Sequence, residues 1–498
     1  MKKVIRRALV VGPIALVQLL WFLLLCKWLT PYAAPISLFL SVLAAFLVLY
    51  ILTSRKENAY KSLWLMVMLV FPVAGAILYL AEGDRRAATP IRRKLEKAQA
   101  NLPPKPETAP EMFRETDPRM AQTFRYVEKK TGFPTYPCPE TRYYPLGENM
   151  YPDMLEAMER AEKFIYVEYF IIEDGKMWDP MVEILERKSA QGVDVRVIYD
   201  DVGSIATYSL KNLISLRQRG IPCMCFNPML SIKGTVNYRD HRKMLIVDGR
   251  VAFSGGVNLA DEYINEKVRF GHWKDIGYRL TGPSAASFTR MFAEFWNAFS
   301  DQTPVPEENL TPVPGERGEG LLLPYFDSPL YGDAVSNNLY VELLSQATEY
   351  AWFYTPYLMP GEQLMDAMIL AAQRGVDVRI LMPGIPDKKL VFRMSRSYYR
   401  PLLAAGIRIF EYTPGFLHAK GCVVDGRLGT LGTVNLDYRS LFLHFENNTL
   451  FYNAPVLREL AKDFLETQEK SAEIRPDSRY RLGTRILDGI LRICAPLC

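Results

Sequence analysis

"DHRKMLIVDGRVAFSGGVN", residues 240–258, returns as "LHAKGCVVDGRLGTLGTVN" at residues 417–435. The copies align His241 with His418, Lys243 with Lys420, Asp248 with Asp425 and Asn258 with Asn435. Lys and Asp each make up roughly 6 % of an average sequence, so a given histidine acquires both at fixed offsets by accident about once in 300 tries. The chain has only 4 histidines, and two of them do so. In a strand, residues i and i+2 share a face, which puts each histidine beside its lysine. Cys422, Val423 and Val424, after the second lysine, suit a core. A duplicated structural strand could preserve such a pattern, but packing alone rarely keeps His and Lys on one face of an apolar strand.

The repeat extends outward from the motifs. "QGVDVRVIYDD" at 191–201 is matched by "RGVDVRILMPG" at 374–384, each closing a helix with glycine and opening a buried strand. Before them stand two more strand-like runs, "KFIYVEYFII" at 163–172 and "EYAWFYTPYLM" at 349–359. Alternating strands and helices predict an α/β fold, and its repetition predicts two tandem domains, 112–302 and 320–478. The segment "TPVPEENLTPVPGERGEG" at 303–320 reads as the linker between them, and "NLPPKPETAPE" at 101–111 as the linker before them.

Upstream of that linker the composition changes. Three uncharged apolar runs, Ala8–Cys26, Ile36–Thr53 and Ser62–Ala81, each approach the ~20 residues a helix needs to cross a bilayer, so residues 1–100 are read as a membrane segment of two or three helices. Lys2, Lys3, Arg6 and Arg7 draw the N-terminus to the cytoplasm, and Arg85, Arg86, Arg92, Arg93, Lys94 and Lys97 draw the far end there too. Either one run is re-entrant, the third carrying Pro72 and Gly75, or the basic flank lies on the outer face. The 498 residues carry a net charge of only +5, which demands no polyanionic partner such as nucleic acid. The 7 cysteines are odd in number and scattered, unlike a disulfide framework. At 479–498 a basic amphipathic tail repeats Leu482, Ile486, Ile490, Ile493 and Leu497 at helical spacing, with Arg485, Asp488 and Arg492 elsewhere. It suits either the headgroup layer or the protein's own surface.

If the halves meet around a pseudo-twofold axis, two His, two Lys and two Asn converge on a point suited to a tetrahedral phosphoryl group. One neutral imidazole can attack phosphorus while the other, protonated, delivers a proton to the leaving alkoxide. Each imidazole then needs its second nitrogen held, and Asp275 and Glu446, in downstream strand-like runs, are the candidate orienting acceptors. Asp248 and Asp425 lie too far along the strand to touch phosphate easily, so a turn-stabilising role is expected of them. His272 and His444 carry weaker signals. Arg439 suits an anionic headgroup or an ordinary ion pair equally. No metal-ligand spacing or P-loop occurs.

These HxKxxxxD segments, with their glycines and asparagines, resemble the phospholipase D superfamily, and more closely its bacterial cardiolipin synthase branch. The resemblance also rests on "FPVAGAILYL" at 71–80, "VEYFII" at 167–172, "YTPYLMPGE" at 354–362 and "LGTVNLDYRSLFLHFE" at 431–446. It implies an α/β fold of two phospholipase D-like domains preceded by transmembrane helices, in a multi-pass cell-membrane protein. The implied reaction moves a phosphatidyl group between two phosphatidylglycerol molecules through a phosphohistidine, giving cardiolipin and glycerol without cofactor or metal. Carried onto this chain, the catalytic set is His241, Lys243, Asp248, His418, Lys420 and Asp425, with His241 the nucleophile. Asn258, Asn435, Thr433 and Arg439 would bind substrate. The family often has a hydroxyl where this chain has Gly256, and Thr433 fills that place in the second half, which gives His418 the expected fuller surround. The lipid bilayer is the expected partner and nucleic acid is not; oligomerisation is left open. The rivals are a phospholipase D that uses water and, from another class, an inactive membrane scaffold.

Overall fold

The repeated segments turn from helix to strand at Gly192 and Gly375, whose φ of 90° and 94° lie in the left-handed region that glycine enters without a Cβ penalty. The computed structural model describes residues 16–17, 19–21, 23–24, 30–54, 57–83, 88–108, 110–113, 116–229, 237–475 and 482–497. The strands of the first half are β1 (Tyr136–Pro137), β2 (Thr141–Tyr144), β3 (Phe164–Tyr169), β4 (Asp194–Asp200), β5 (Cys223–Phe226), β6 (Lys243–Val247), β7 (Val251–Gly255), β8 (His272–Lys274) and β9 (Gly277–Thr281). Those that follow are β10 (Leu321–Asp327), β11 (Tyr350–Tyr354), β12 (Asp377–Pro383), β13 (Arg408–Tyr412), β14 (Gly415–Leu417), β15 (Gly421–Val424), β16 (Leu428–Gly432), β17 (Glu446–Tyr452) and β18 (Ser471–Glu473).

The two main sheets have one plan. The first runs β2-β9-β7-β6-β3-β4-β5, and the second contains β10-β17-β16-β15-β11-β12-β13 in the matching order, with β1 and β18 added at its edges. In each, three strands are parallel and the motif strand, β6 or β15, pairs antiparallel to the first of them. The parallel strands are buried on both faces, which is why "FIYVEY" is apolar or aromatic at nearly every position.

The halves are not separate bodies. Residues 91–488 form one compact unit, in which β1, from the expected first domain, pairs with β10 of the second sheet. β8 pairs in parallel with β14 to make a two-stranded ribbon between the halves. Asp463 binds Lys274 at 2.7 Å and accepts from Tyr143 at 2.7 Å and Tyr354 at 2.9 Å, joining three elements at a buried point. Phe445 packs against Phe226, Phe295 and Phe326 with ring centroids 5.0–5.9 Å apart. Burying such a side chain is worth roughly 1.5–3 kcal/mol, so the seam is part of the core.

Residues 1–90 and 489–497 form the other unit. Most of the run Ala8–Cys26 lies outside the described residues, as do its basic flank and Arg85 and Arg86. The second run falls in the helix Thr30–Thr53, which exposes Phe39, Phe46, Leu49 and Leu52. The third run is not one helix. It breaks at Phe71 into Asn58–Val70 and Pro72–Leu78, and Gly75 lies so close to the preceding helix that a Cβ would stand 3.0 Å from the Val67 carbonyl. Proline removes the backbone donor and glycine permits the close return, which makes a helical hairpin. Among the described residues, no helix is long and apolar enough to cross a membrane; the side chains of residues 30–38, 40 and 41 are outside that set.

Candidate active site

Each motif histidine stands just before its strand, because β6 begins at Lys243 and β15 at Gly421. The backbone there is held by the opposite half. His241 N–H donates to the Phe445 carbonyl at 2.9 Å and His418 N–H to the Lys274 carbonyl at 2.7 Å. Phe445 and Lys274 immediately precede Glu446 and Asp275, so these bonds carry each carboxylate to the histidine of the other half. His241 Nδ1 lies 2.9 Å from both Glu446 oxygens, and His418 Nδ1 lies 2.6 Å from Asp275 Oδ2. Held through Nδ1, each ring keeps Nε2 for chemistry.

The lysines reach back along the same face. Lys243 Nζ donates to the His241 carbonyl at 2.7 Å, and Lys420 Nζ donates to that of His418. Burial lowers Lys243 to about 8 and Lys420 to about 7, against the pull of Glu446 and Asp275. Burial, then the neighbouring Lys420, lowers His418 to about 4, while Asp275 works in the opposite direction. His241 is pushed well below its ordinary value by burial, then by Lys243 and His444. With both rings neutral and two lysines facing one space, the pocket suits a phosphodiester anion, whose charge would raise all four groups.

The motif aspartates are elsewhere. Asp248 accepts from the backbone N–H groups of Glu162, Lys163 and Phe164 at 2.7–2.9 Å, and Asp425 from those of Thr348, Glu349 and Tyr350 at 2.8–2.9 Å. Both have positive φ, at 55° and 50°, so they fasten the strand turn and touch no reacting group. These bonds are of the turn-stabilising kind expected of the two aspartates. Asn258 is likewise a scaffold residue, accepting from Ile171 N–H at 3.1 Å and donating to Tyr263 at 2.8 Å. Asn435 donates to Asp437 at 3.1 Å, while its Oδ1 is buried without a protein partner.

Thr433 differs most from expectation. Its hydroxyl donates to Glu446, the carboxylate that holds His241, so the fuller surround belongs to His241 and not to His418. In the first half a Cβ at Gly256 would lie 2.0 Å from Asp275 Oδ1; the missing side chain makes the space Asp275 occupies. Arg439 is half-buried, and its charge acts on Asp437 and His444. His272 donates to or accepts from Tyr412 at 3.0 Å.

Several contributors carried no signal in the motif spacing. Asn447 accepts from Lys243 N–H at 3.1 Å and donates to Ser254 at 2.7 Å. Tyr263, Trp273 and Phe416 surround His418 at 5.4–5.8 Å, whereas His241 meets Phe170 at 4.9 Å and His444 at 5.5 Å. Behind the first motif, Arg242 is buried between Glu168 and Asp240, and Arg239 pairs with Asp200 at 2.8 Å. One ligand atom each from His241, His444 and Glu446 lie within 4.8 Å of one another, a spacing open to a metal ion. The adjacent Lys243 opposes a cation there and favours an anion.

The family described as cardiolipin synthase, phospholipase D-like domain, matches residues 154–294 and 340–467, and a phospholipase D-nuclease N-terminal family matches 39–81. Cardiolipin synthase 2 of Bacillus anthracis is 34 % identical over 464 residues, spanning 91 % of this chain and 90 % of the relative. Cardiolipin synthase of Halalkalibacterium halodurans is 31 % identical over 470 residues, 93 % of each chain. Among solved structures, phosphatidylserine synthase of Haemophilus influenzae superposes with a TM-score of 0.57 at 16 % identity, covering 76 % of this chain and 98 % of that one.

Proposed function

The chain belongs to the phospholipase D-like cardiolipin synthase family and is a phosphatidyltransferase, and from that premise we propose a two-step transfer through a phosphohistidine at His241. Its substrate is phosphatidylglycerol. His241 Nε2 attacks phosphorus, and the bond to the glycerol headgroup breaks as His418 Nε2–H gives that oxygen its proton. Glycerol departs. Neutral His418 then takes the proton from a headgroup hydroxyl of a second phosphatidylglycerol, whose oxygen attacks phosphorus and releases His241. Atoms and charge balance, and one phosphodiester replaces another, so no energy source is required.

The observation that carries the division of roles is the unequal setting of the rings. The short bond to Asp275 works against the burial that lowers His418, so this ring, enclosed by three aromatic side chains, is the one placed to take up a proton once a phosphodiester anion is bound. His241 is driven towards the neutral form that a nucleophile needs. Lys243 and Lys420 balance the phosphoryl oxygens, with Asn435 and Arg439 towards the headgroup side.

We assign residues 112–302 and 320–478 to the two phospholipase D-like halves and residues 1–100 to a multi-pass membrane segment, the helix Thr30–Thr53 being its lipid-facing part. Exposed Phe39, Phe46, Leu49 and Leu52 and the matched N-terminal family support that reading.

Purified protein given phosphatidylglycerol should accumulate cardiolipin and glycerol; accumulation of phosphatidic acid instead would mean that water is the acceptor. A brief pulse of phosphate-labelled lipid should label His241, and His241→Ala should lose both label and turnover by about 10⁴-fold or more. Label on His418 reverses the roles.

A further inference from the structure

A bilayer enzyme must bring a buried phosphate pocket to headgroups, and beside this site exposed apolar side chains stand next to lysines. Two loops, one from each half, meet there. In the first, residues 265–271, Val268 is 83 % exposed at the tip, while Phe270 and Trp273 behind it pack towards His418. The second, "IPDKKLVFR" at 385–393, is a loop that runs into the helix Lys389–Ser397, and Ile385 on the loop and Leu390 on the first turn of the helix are 40 % and 63 % exposed.

The loops touch. Gly271 bridges Gly415, Ile385 N–H donates to the Gly415 carbonyl at 3.1 Å, and Ile385 Cδ1 lies 3.1 Å from where a Cβ of Gly271 would stand. The second loop is tied to the pocket by Asp387, which accepts from Tyr357 at 2.6 Å, and by Ser395, which accepts from Leu358 N–H at 3.1 Å. Lys388 lies 5.2 Å over the Tyr357 ring, and its charge reaches His444 and Asp437.

A third apolar element adjoins. Arg393 binds Asp488 at 2.5 Å, which turns Asp488 inward and leaves Ile486 and Leu487 exposed at 59 % and 47 %. Lys267 and Arg269 are held by Glu173 and Glu262, and Lys388 lies 3.6 Å from Asp387 with 60 % of its side chain exposed, so the exposed cations of the second segment are Lys388 and its neighbour Lys389.

We propose that this rim, Val268, Ile385, Leu390, Ile486 and Leu487 with Lys388 and Lys389, docks residues 91–488 onto the surface of an anionic bilayer. Separate apolar tips interspersed with lysine on protruding loops match an interface whose outer layer is anionic and whose next layer is hydrocarbon. A protein partner would be served better by one continuous apolar patch. Docking by this face places the pocket mouth over the headgroups, and it rests on the lipid-substrate reading above.

The test uses the full chain in nanodiscs and compares phosphatidylglycerol in the bilayer with a short-chain, water-soluble phosphatidylglycerol below its critical micelle concentration. Ile385→Glu with Leu390→Glu should slow turnover of the bilayer substrate by about tenfold and leave the soluble one within about twofold. Lys388→Glu with Lys389→Glu should abolish the acceleration given by an anionic, non-substrate lipid background, on the order of tenfold. In Leu390→Trp, brominated acyl chains should quench the new indole. Equal losses on both substrates, or an indole left unquenched, overturn the proposal. Quenching in a protein that makes no cardiolipin from either substrate would uphold docking while refuting the assigned reaction.

Discussion

His241 meets a carboxylate with both oxygens at 2.9 Å, braced by a threonine; His418 meets one oxygen at 2.6 Å, in a niche left by a missing side chain. The strand orders around them match, so the difference is local and lies in what each half lends the other. Glu446 and Thr433 belong to the second half but serve His241; Asp275 and Gly256 belong to the first but serve His418. Duplication supplied two equal motifs, and exchange of carboxylates across the seam made them unequal. A half alone would hold a histidine and a lysine without the group that sets the imidazole tautomer.

Breaking the exchange gives the largest effect. Glu446→Gln keeps the shape but removes the acceptor that fixes His241, and loss of such a buried partner costs about 10⁴ in turnover. The rate of label transfer to His241 in a single turnover should fall with it, although the mutation lies 205 residues away in the other half. Asp275→Asn, acting through His418, should slow both half-reactions, label transfer with loss of glycerol and attack by the second phosphatidylglycerol. If Glu446→Gln slows only the second step, the assignment of carboxylates to histidines is wrong.

The next effect concerns stability. Arg242 stands between His241 and Lys243 and points to the opposite face, where it pairs with Glu168 and Asp240 and lies 3.7 Å over the Phe295 ring centroid. The second half has Ala419 at that place, fully buried without a charge. Arg242→Ala strands two buried carboxylates, and breaking a buried pair costs about 3–5 kcal/mol. Denaturant titration in detergent should show that loss. A change below about 1 kcal/mol would mean the first motif needs its charged support no more than the second does.

Smaller again is the hydroxyl. A hydrogen bond to a charged group contributes about 1.5–3 kcal/mol, so Thr433→Val should lower kcat roughly 10- to 100-fold and Thr433→Ser should lower it little. Gly256→Ala tests the matching position, since its Cβ must displace Asp275. The Thr433 loss should appear in attack by His241 and the Gly256 loss in protonation by His418.

Periodicity and repeat made the α/β class, the paired strands and the four reactive side chains legible, because each leaves a pattern at fixed spacing. Glu446 and Asp275 were also legible as acceptors in strand-like runs near a histidine, Glu446 opening β17 and Asp275 falling between β8 and β9. Their crossing was not, since a repeat shows which residues are equivalent and is silent on which copy they face. That silence led Thr433 to be credited to His418. Asn447, Ser254 and Arg242 left no signal, as a polar residue inside an apolar strand has no period of its own. The break at Phe71 was foreshadowed by Pro72 and Gly75, residues whose backbone effects are local.

The smallest effect separates the halves by their lysines. Lys420 is lowered to about 7 and Lys243 to about 8, burial being the main cause for both. A lysine in this condition is charged only below its own pKa, and the phosphodiester requires that charge. Hence kcat/KM, which reports the free enzyme, should fall as pH rises, first through about 7 and then more steeply through about 8. Between pH 6 and 8 the lysines should contribute a loss of about twentyfold, about tenfold of it from Lys420 and about twofold from Lys243. His241 stays neutral well below its ordinary range, so the nucleophile adds no acid limb near neutrality, while the proton His418 must take up to act as the acid adds a fall that begins above about 4 and is common to wild type and variant. Lys420→Arg keeps a charge that does not titrate, so it should remove the first fall and leave the second. If the first fall survives in that variant, it belongs to another group, and the lysines of the two halves are equivalent after all.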